Sequence, residues 1–229
     1  MTTFVLIHGA YQGGWIWKTT AEHLRTRGHL VLTPTLDGCA ERKGGLRAGI
    51  DTESHAAEIA ELLFYQDLQD VVLAGTSTGG MVMARAAELA RERVARVVFA
   101  DALALRDGEA LPDIVKRPTA VNTEFGTGPS RQDFETRLFV DLEPKVRAWA
   151  LDRCTPHPIA AMQAPVKLDR FWDQAWNASV IWCKRSSNPP VAHQRRAAER
   201  LKARWHELDT GHYPMLSEPA ALARLIAEG

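Results

Sequence analysis

Short apolar runs that alternate with helical patterns limit the possible fold of this 229-residue chain most strongly. Residues 4–7 and 71–74 are apolar at every position, as in strands that are buried on both faces of a parallel sheet. Apolar residues at helical spacing follow such runs, for example in 14–27 and 52–67. The alternation predicts an α/β fold with a mainly parallel sheet of about six strands and helices on both faces.

The regular alternation is interrupted once, between residues 103 and 176. This stretch is rich in proline and carries only short helical pieces, such as 131–139 and 143–152. We therefore predict a core made of 1–102 and 177–229, with 103–176 inserted as a helical cap. The predicted core strands are 4–7, 29–36, 70–77, 96–103, 179–184 and 204–209, and the predicted core helices are 14–27, 52–67, 78–92, 191–203 and one that begins at Glu218.

Charge and cysteine content exclude several classes of function. The 28 basic and 28 acidic side chains cancel, so nothing favours a nucleic-acid partner. The apolar part of the N-terminus is too short for a signal peptide or a membrane span, so we expect a cytoplasmic protein without a membrane partner. Cys39, Cys154 and Cys183 are widely spaced and predict neither a disulfide framework nor a zinc site. The oligomeric state is not predicted by the sequence.

A serine lies between two glycines where the third predicted strand meets a helix. Gly75, Ser77 and Gly79 form the pattern Gly-x-Ser-x-Gly, which in this context is typical of a nucleophile elbow. The tight turn needs glycines beside the serine, and the following helix start offers free N–H groups to an oxyanion. A purely structural glycine-rich turn is the alternative. The strand and helix on either side favour Ser77 as a catalytic nucleophile.

A serine hydroxyl becomes a good nucleophile only when a neighbouring base takes its proton. Among the eight histidines, His212 follows the last predicted strand in a loop that carries Gly211 and Pro214. Loops at the carboxyl ends of parallel strands meet at one crevice, so we expect His212 to face Ser77. The alternative is an ordinary loop histidine.

The loop after the first strand supplies a further element. It spans residues 8–15 and is expected to lie at the same edge of the sheet as Ser77. We predict an oxyanion hole formed by the backbone N–H groups of Ala10 and Thr78.

The motifs HGAYQGGW (8–15), GTSTGG (75–80) and TGHYPMLSEP (210–219) together resemble the α/β-hydrolase superfamily. The chain is similar to the small single-domain branch that holds plant hydroxynitrile lyases, methyl-salicylate-type esterases and bacterial aryl or carbamate esterases, including carbendazim-hydrolysing esterases. The resemblance covers about residues 4–102 and 179–228. It implies an α/β-hydrolase fold with a helical cap over the serine, and no cofactor or metal.

The chain departs from that family where an acid should orient the histidine. The family most often places a carboxylate after the penultimate strand, but residues 183–190 contain no Asp or Glu. Asp101, at the end of the strand after the elbow helix, is the acid that we favour, and a structural aspartate is its alternative reading. The other candidates are Ser186, Ser187 and Asn188 as neutral partners, and Asp209, which is expected to lie in the last strand and bind backbone.

The residues predicted to surround the crevice are largely apolar. Tyr11 and Trp15 are our candidate substrate-binding residues, and the cap adds further aromatic side chains, many of which are expected to be core. Such a lining favours a small, mainly neutral acyl or aryl group. We therefore predict a serine hydrolase that cleaves a small, largely apolar carboxylic ester or carbamate.

Two other functions compete with hydrolysis. A lyase would use His212 as a base to cleave a cyanohydrin, but neither cap lysine, Lys145 or Lys167, matches the position of the lysine in related lyases. A non-catalytic protein of the same fold would keep the pocket only to bind a small ligand, and the serine and histidine argue against it.

Overall fold

The computed structural model describes residues 1–115 and 121–228, and a six-stranded parallel sheet lies at its centre. The strands in the described residues are β1 Thr3–Ile7, β2 Leu30–Leu32, β3 Val71–Ser77, β4 Val94–Ala102, β5 Val121–Asn122, β6 Gly126–Gly128, β7 His157–Pro158, β8 Asn177–Cys183 and β9 Arg204–Leu208. The central sheet has the order β2-β1-β3-β4-β8-β9, with every pair parallel. The predicted fold class is confirmed.

Both faces of the central sheet are covered. Side chains alternate along β1, so that Val5 and Ile7 pack into one hydrophobic cluster while Phe4 and Leu6 pack into another. All four are at most 1% exposed. Two buried faces explain why residues 4–7 of this strand carry no polar side chain.

Helices cover the two faces. The α-helices in the described residues are α1 Lys18–Arg25, α2 Thr52–Tyr65, α3 Gly79–Leu89, α4 Leu111–Ile114, α5 Arg131–Asp133, α6 Pro144–Leu151, α7 Ile159–Gln163, α8 Val191–Leu201, α9 Pro214–Ser217 and α10 Pro219–Ala227. The start of α2 is fixed by a capping box, in which the Ser54 N–H donates to Asp51 and the Asp51 N–H donates to Ser54 Oγ.

The second strand is much shorter than the sequence predicted. Residues 29–36 were expected to be extended, but β2 ends at Leu32. Beyond it the chain bonds to the loop after β1 instead of to the sheet: Gly14 N–H donates to Thr35 Oγ1 at 2.8 Å, and Leu36 N–H donates to His8 Nε2 at 3.0 Å. These contacts turn the segment towards the carboxyl edge of the sheet.

The segment between β4 and β8 combines short helices with a small sheet. It contains α4 to α7, but β5, β6 and β7 also form a small antiparallel sheet. Its apolar side chains reach both faces of the central sheet, because Phe139 joins one hydrophobic cluster and Phe171 the other.

No helix in residues 1–115 or 121–228 is both long enough and apolar enough to cross a bilayer. The three cysteines are free thiols.

Candidate active site

Ser77 is the last residue of β3 and has a left-handed backbone conformation, with φ of 50°. The two glycines of its motif are required by close approach. A Cβ on Gly75 would lie 2.5 Å from the Gly79 carbonyl oxygen, and a Cβ on Gly79 would lie 2.6 Å from the carbonyl oxygens of Ile7 and His8. The strained turn and the close-packed glycines are the features expected of a nucleophile elbow.

The loop after β1 lies directly against this serine. A Cβ on Gly9 would be 2.7 Å from the Cβ of Ser77, and Ala10 follows in the chain. Thr78 connects Ser77 to the first turn of α3. Within the described residues, neither the Ala10 N–H nor the Thr78 N–H donates a backbone hydrogen bond. The start of a helix leaves N–H groups such as that of Thr78 without an intrahelical partner.

His212 and Asp101 form a short charge-assisted pair at the same edge of the sheet. His212 Nδ1 lies 2.6 Å from Asp101 Oδ2, and the Asp101 side chain is completely buried. An ionised carboxylate only accepts hydrogen bonds, so Nδ1 carries the proton and Nε2 is the basic ring nitrogen. The imidazole is thus held in the tautomer that general-base catalysis requires.

A bulge in β4 directs Asp101 towards the histidine. The β3–β4 register pairs Thr76 with Ala100 and Ser77 with Ala102, so Asp101 has no partner on β3. Its φ is 47°, a left-handed conformation that aspartate tolerates better than most residues. Bulges re-aim single side chains, and this one turns Asp101 across the end of β8.

The other candidate partners of His212 are placed differently. Ser186 Oγ lies 3.5 Å from His212 Nδ1, farther than Asp101, and donates to the Asn188 carbonyl at 3.0 Å. Asp209 lies beyond β9 and is 77% exposed, and it pairs with Arg185, so its predicted place inside the strand was wrong. Among the described residues, no hydrogen bond joins Ser77 to His212.

Two side chains near this pair were missed by sequence reasoning. Gln194, on α8, donates to Asp101 Oδ1 at 2.8 Å. Asp141 extends from the cap and accepts the Gly211 N–H at 3.0 Å, directly before His212. A glutamine in an amphipathic helix and an aspartate in the insertion carry no local signal, because their partners are distant in sequence.

Tyr11 and Trp15 both contact the cap. The Tyr11 ring packs edge-on against Phe134 with ring centroids 5.7 Å apart, and Trp15 packs edge-on against Trp149 at 5.3 Å. Several cap aromatics are core, as expected, among them Phe139, Phe171 and Trp176. Tyr11, immediately after Ala10, packs against both hydrophobic clusters.

His8 fixes the loop that carries Ala10. It is fully buried, accepts the Leu36 N–H at Nε2 and, through Nδ1–H, donates to the Gly9 carbonyl at 2.8 Å. Burial lowers the pKa of His8 to about 4, against a smaller opposite effect of the Gly9 hydrogen bond. Burial likewise lowers the pKa of His193, which accepts the Ala104 N–H, to about 4. Both imidazoles are therefore structural and neutral at pH 7.

We expect the free energy of unfolding to fall as the pH drops from about 6.5 to about 4. In this window the unfolded chain binds protons at these two histidines that the folded chain does not, so acid favours unfolding. A shift of this size at His8 alone corresponds to about 3 kcal/mol at pH 4. Urea unfolding at a series of pH values measures the slope, and His8→Gln, which keeps an acceptor near the Nε2 position, should flatten it. An unchanged slope in His8→Gln contradicts the assignment.

No group of three or more His, Cys, Asp or Glu side chains is arranged to hold a metal ion in the described part of the chain.

The sequence and the fold match known proteins over most of their length. Residues 4–225 match the profile of the Alpha/beta hydrolase family. The chain is 32% identical to a carbendazim hydrolyzing esterase of Nocardioides sp. (strain SG-4G), over 73% of this chain and 74% of the relative. It is 24% identical to putative methylesterase 14, chloroplastic, of Arabidopsis thaliana, over 98% of this chain and 71% of the relative.

A solved structure shares the fold along the whole chain. It is an extracellular alpha/beta-hydrolase from a Paenibacillus species, described as sharing structural and functional homology with Tobacco Salicylic Acid Binding Protein 2. The TM-score is 0.86 at 22% identity, with 100% of this chain and 98% of the other covered.

Proposed function

This chain belongs to the Alpha/beta hydrolase family and is a carboxylesterase-type hydrolase, and we propose that it cleaves a small, largely apolar carboxylic ester or carbamate through an acyl-enzyme on Ser77. The observation that carries the proposal is the 2.6 Å contact between His212 Nδ1 and Asp101 Oδ2, at the edge of the sheet where β3 ends in Ser77. A base with a buried carboxylate behind it is what a serine nucleophile needs.

The first half of the reaction forms the acyl-enzyme. Ser77 Oγ attacks the carbonyl carbon while His212 Nε2 takes the hydroxyl proton, and Asp101 stabilises the resulting imidazolium. The N–H groups of Ala10 and Thr78 donate to the oxyanion of the tetrahedral intermediate. His212 then gives its proton to the departing alcohol or amine as the bond to the carbonyl carbon breaks.

The second half releases the acid. Water attacks the acyl-enzyme with His212 Nε2 as general base, and Ser77 leaves with the proton returned from the imidazolium. Both halves of the reaction need a hydrogen bond between Ser77 and His212. We expect it to form as substrate enters, because such hydrogen bonds are often absent or long in the ligand-free state.

The neighbouring residues support a small neutral substrate. Tyr11 follows the proposed oxyanion donor Ala10 and is packed against Phe134 of the cap, which supports an aromatic wall beside the scissile group. Buried apolar surface favours uncharged acyl and aryl groups. The proposal of a carbamate substrate draws on the relative that is named for hydrolysing carbendazim.

The test is a panel of substrates combined with intact-mass measurement. We expect the protein to hydrolyse an aryl acetate, and an aryl carbamate to leave a mass adduct that maps to the peptide containing Ser77, because carbamoylated serines are released slowly by water. The adduct should be absent in Ser77→Ala.

Two outcomes would overturn this proposal. Cyanide release from mandelonitrile without ester turnover would assign the site to a lyase. Against that assignment, Lys167 of the cap is 64% exposed and is paired with Asp169. Binding of an aryl ester without turnover or adduct would assign it to a ligand-binding protein.

A further inference from the structure

Gln194 places an uncharged amide against the carboxylate of Asp101. Its Nε2 lies 2.8 Å from Asp101 Oδ1, and Gln194 is only 1% exposed while Asp101 is completely buried. Gln194 belongs to the first turn of α8, so the contact joins a helix on the face of the sheet to the bulge in β4.

The orientation of this amide is fixed by its surroundings. Besides Asp101 Oδ1, the nitrogen Nε2 lies 3.1 Å from the carbonyl oxygen of Pro189. Both neighbours are acceptors, so the NH₂ group, and not the carbonyl oxygen, must face them. Both N–H bonds are therefore used, one on the carboxylate and one on the backbone of the turn before α8.

The two oxygens of the carboxylate are divided between different partners. Oδ2 accepts from His212, whereas Oδ1 accepts from Gln194 at 2.8 Å and from the Cys183 N–H at 3.3 Å. Rotation of the carboxylate about its Cβ–Cγ bond would move Oδ2 away from the imidazole. Without Gln194, the longer Cys183 contact would be the one hydrogen bond left on Oδ1 within the described residues.

An amide also suits the electrostatics of the pair. A buried carboxylate needs hydrogen-bond donors to remain charged, and Gln194 supplies one without bringing a positive charge. A lysine or arginine in its place would neutralise Asp101 and weaken its attraction for the imidazolium. Gln194 thus supports the negative charge while leaving it available to His212.

The carbonyl oxygen of the Gln194 amide is less well satisfied than its NH₂ group. Gln194 Oε1 is buried, and no hydrogen-bond partner for it is found in the described residues. A buried acceptor without a partner destabilises a fold, so the side chain is poorly suited to a merely structural role.

We propose that Gln194 is a positioning residue, whose amide holds the Asp101 carboxylate in the rotation that places Oδ2 on His212. The expected loss of turnover rests on the proposed function. The expected effect on the His212–Asp101 hydrogen bond rests on geometry alone.

A double-mutant cycle tests whether Gln194 acts through Asp101. Gln194→Met keeps the length of the side chain and removes both N–H donors. For an aryl acetate, we expect it to lower kcat about 10-fold to 100-fold with KM nearly unchanged, the scale of a lost hydrogen bond to a charged group. In the Asp101→Ala background, where no carboxylate or amide is left to orient, the same change should have an effect of at most about 2-fold. An equal factor in both backgrounds overturns the inference.

The low-field proton resonance of His212 Nδ1–H provides a readout that is independent of turnover. It is identified by ¹⁵N labelling of histidine and by its loss in His212→Gln. Gln194→Met should shift or broaden it, whereas Gln163→Met, at an exposed glutamine on α7, should leave both this signal and kcat unchanged. An unchanged signal in Gln194→Met overturns the inference.

The same variants distinguish a loss of folding from a loss of function. Thermal unfolding of each variant verifies its fold, and Gln194→Asn, whose amide is withdrawn by one methylene, replaces the methionine variant if that variant does not fold. Ester hydrolysis that persists in Ser77→Ala would end the proposed function, and the resonance would then still decide whether Gln194 orients Asp101.

Discussion

Replacing Ser77 with alanine is expected to lower kcat/KM for an aryl acetate by at least about three orders of magnitude, the scale of a lost nucleophile. Ser77 is held at the end of β3 by a turn in which Gly75 and Gly79 leave no room for a side chain. Initial rates for the purified wild-type and variant proteins measure the loss.

Ser54→Ala is a suitable control for the serine variant. Ser54 is the N3 residue of the capping box of α2, so its replacement removes one hydrogen bond, which should reduce stability by about 1 kcal/mol and leave kcat/KM unchanged. If Ser77→Ala retains activity within about 10-fold of wild type, covalent catalysis at this serine is ruled out.

Asp101→Asn is expected to lower kcat about 10³-fold to 10⁴-fold, comparable to the loss of the triad aspartate in serine proteases. The two donors at the Oδ1 position, from Gln194 and Cys183, would attract the carbonyl oxygen of the new amide. Its NH₂ group would then face His212 Nδ1 and force the proton onto Nε2. An imidazole in that tautomer cannot accept the proton of Ser77.

Asp209→Asn is the matched comparison, because Asp209 is another aspartate near His212, close to it in sequence, but is exposed and paired with Arg185. We expect it to change kcat by no more than about 2-fold, as for most exposed ion pairs. Small and equal effects of the two variants would transfer the orienting role to Ser186, the other side chain near Nδ1. Rates over a range of substrate concentrations separate kcat from KM in each case.

The structural features that the sequence predicted correctly are those that depend on local residue patterns. The strand before Ser77, its flanking glycines and the helix after it follow from apolar runs and from a turn that only glycine fits. His212 was recognisable because it stands in a loop after a strand that belongs to the same sheet. These residues depend on contacts within a few positions or on the general geometry of parallel strands.

The remaining features depend on contacts that a single segment does not encode. Residues 33–36 have strand-like sequence, but Thr35 Oγ1 accepts from the Gly14 N–H and the Leu36 N–H donates to the His8 side chain, so the segment bonds to the loop after β1. Asp101 remained one of several candidates because the bulge that turns it arises from the pairing of two strands. Gln194 and Asp141 acquire their importance only when α8 and the cap meet the edge of the sheet.

The hydrogen bond from the Gly211 N–H to Asp141 connects the cap to the loop that carries His212. Asp141 reaches from the insertion to the residue before His212, and a Cβ on Gly211 would lie 2.1 Å from its carboxylate. Any exchange of the insertion for a foreign one, as in recombination between relatives, therefore removes a support of the imidazole together with Phe134, which packs against Tyr11. We therefore expect an exchange of the insertion to change selectivity and turnover together. A chimera that carries an acidic residue at the position of Asp141 would keep the hydrogen bond to Gly211.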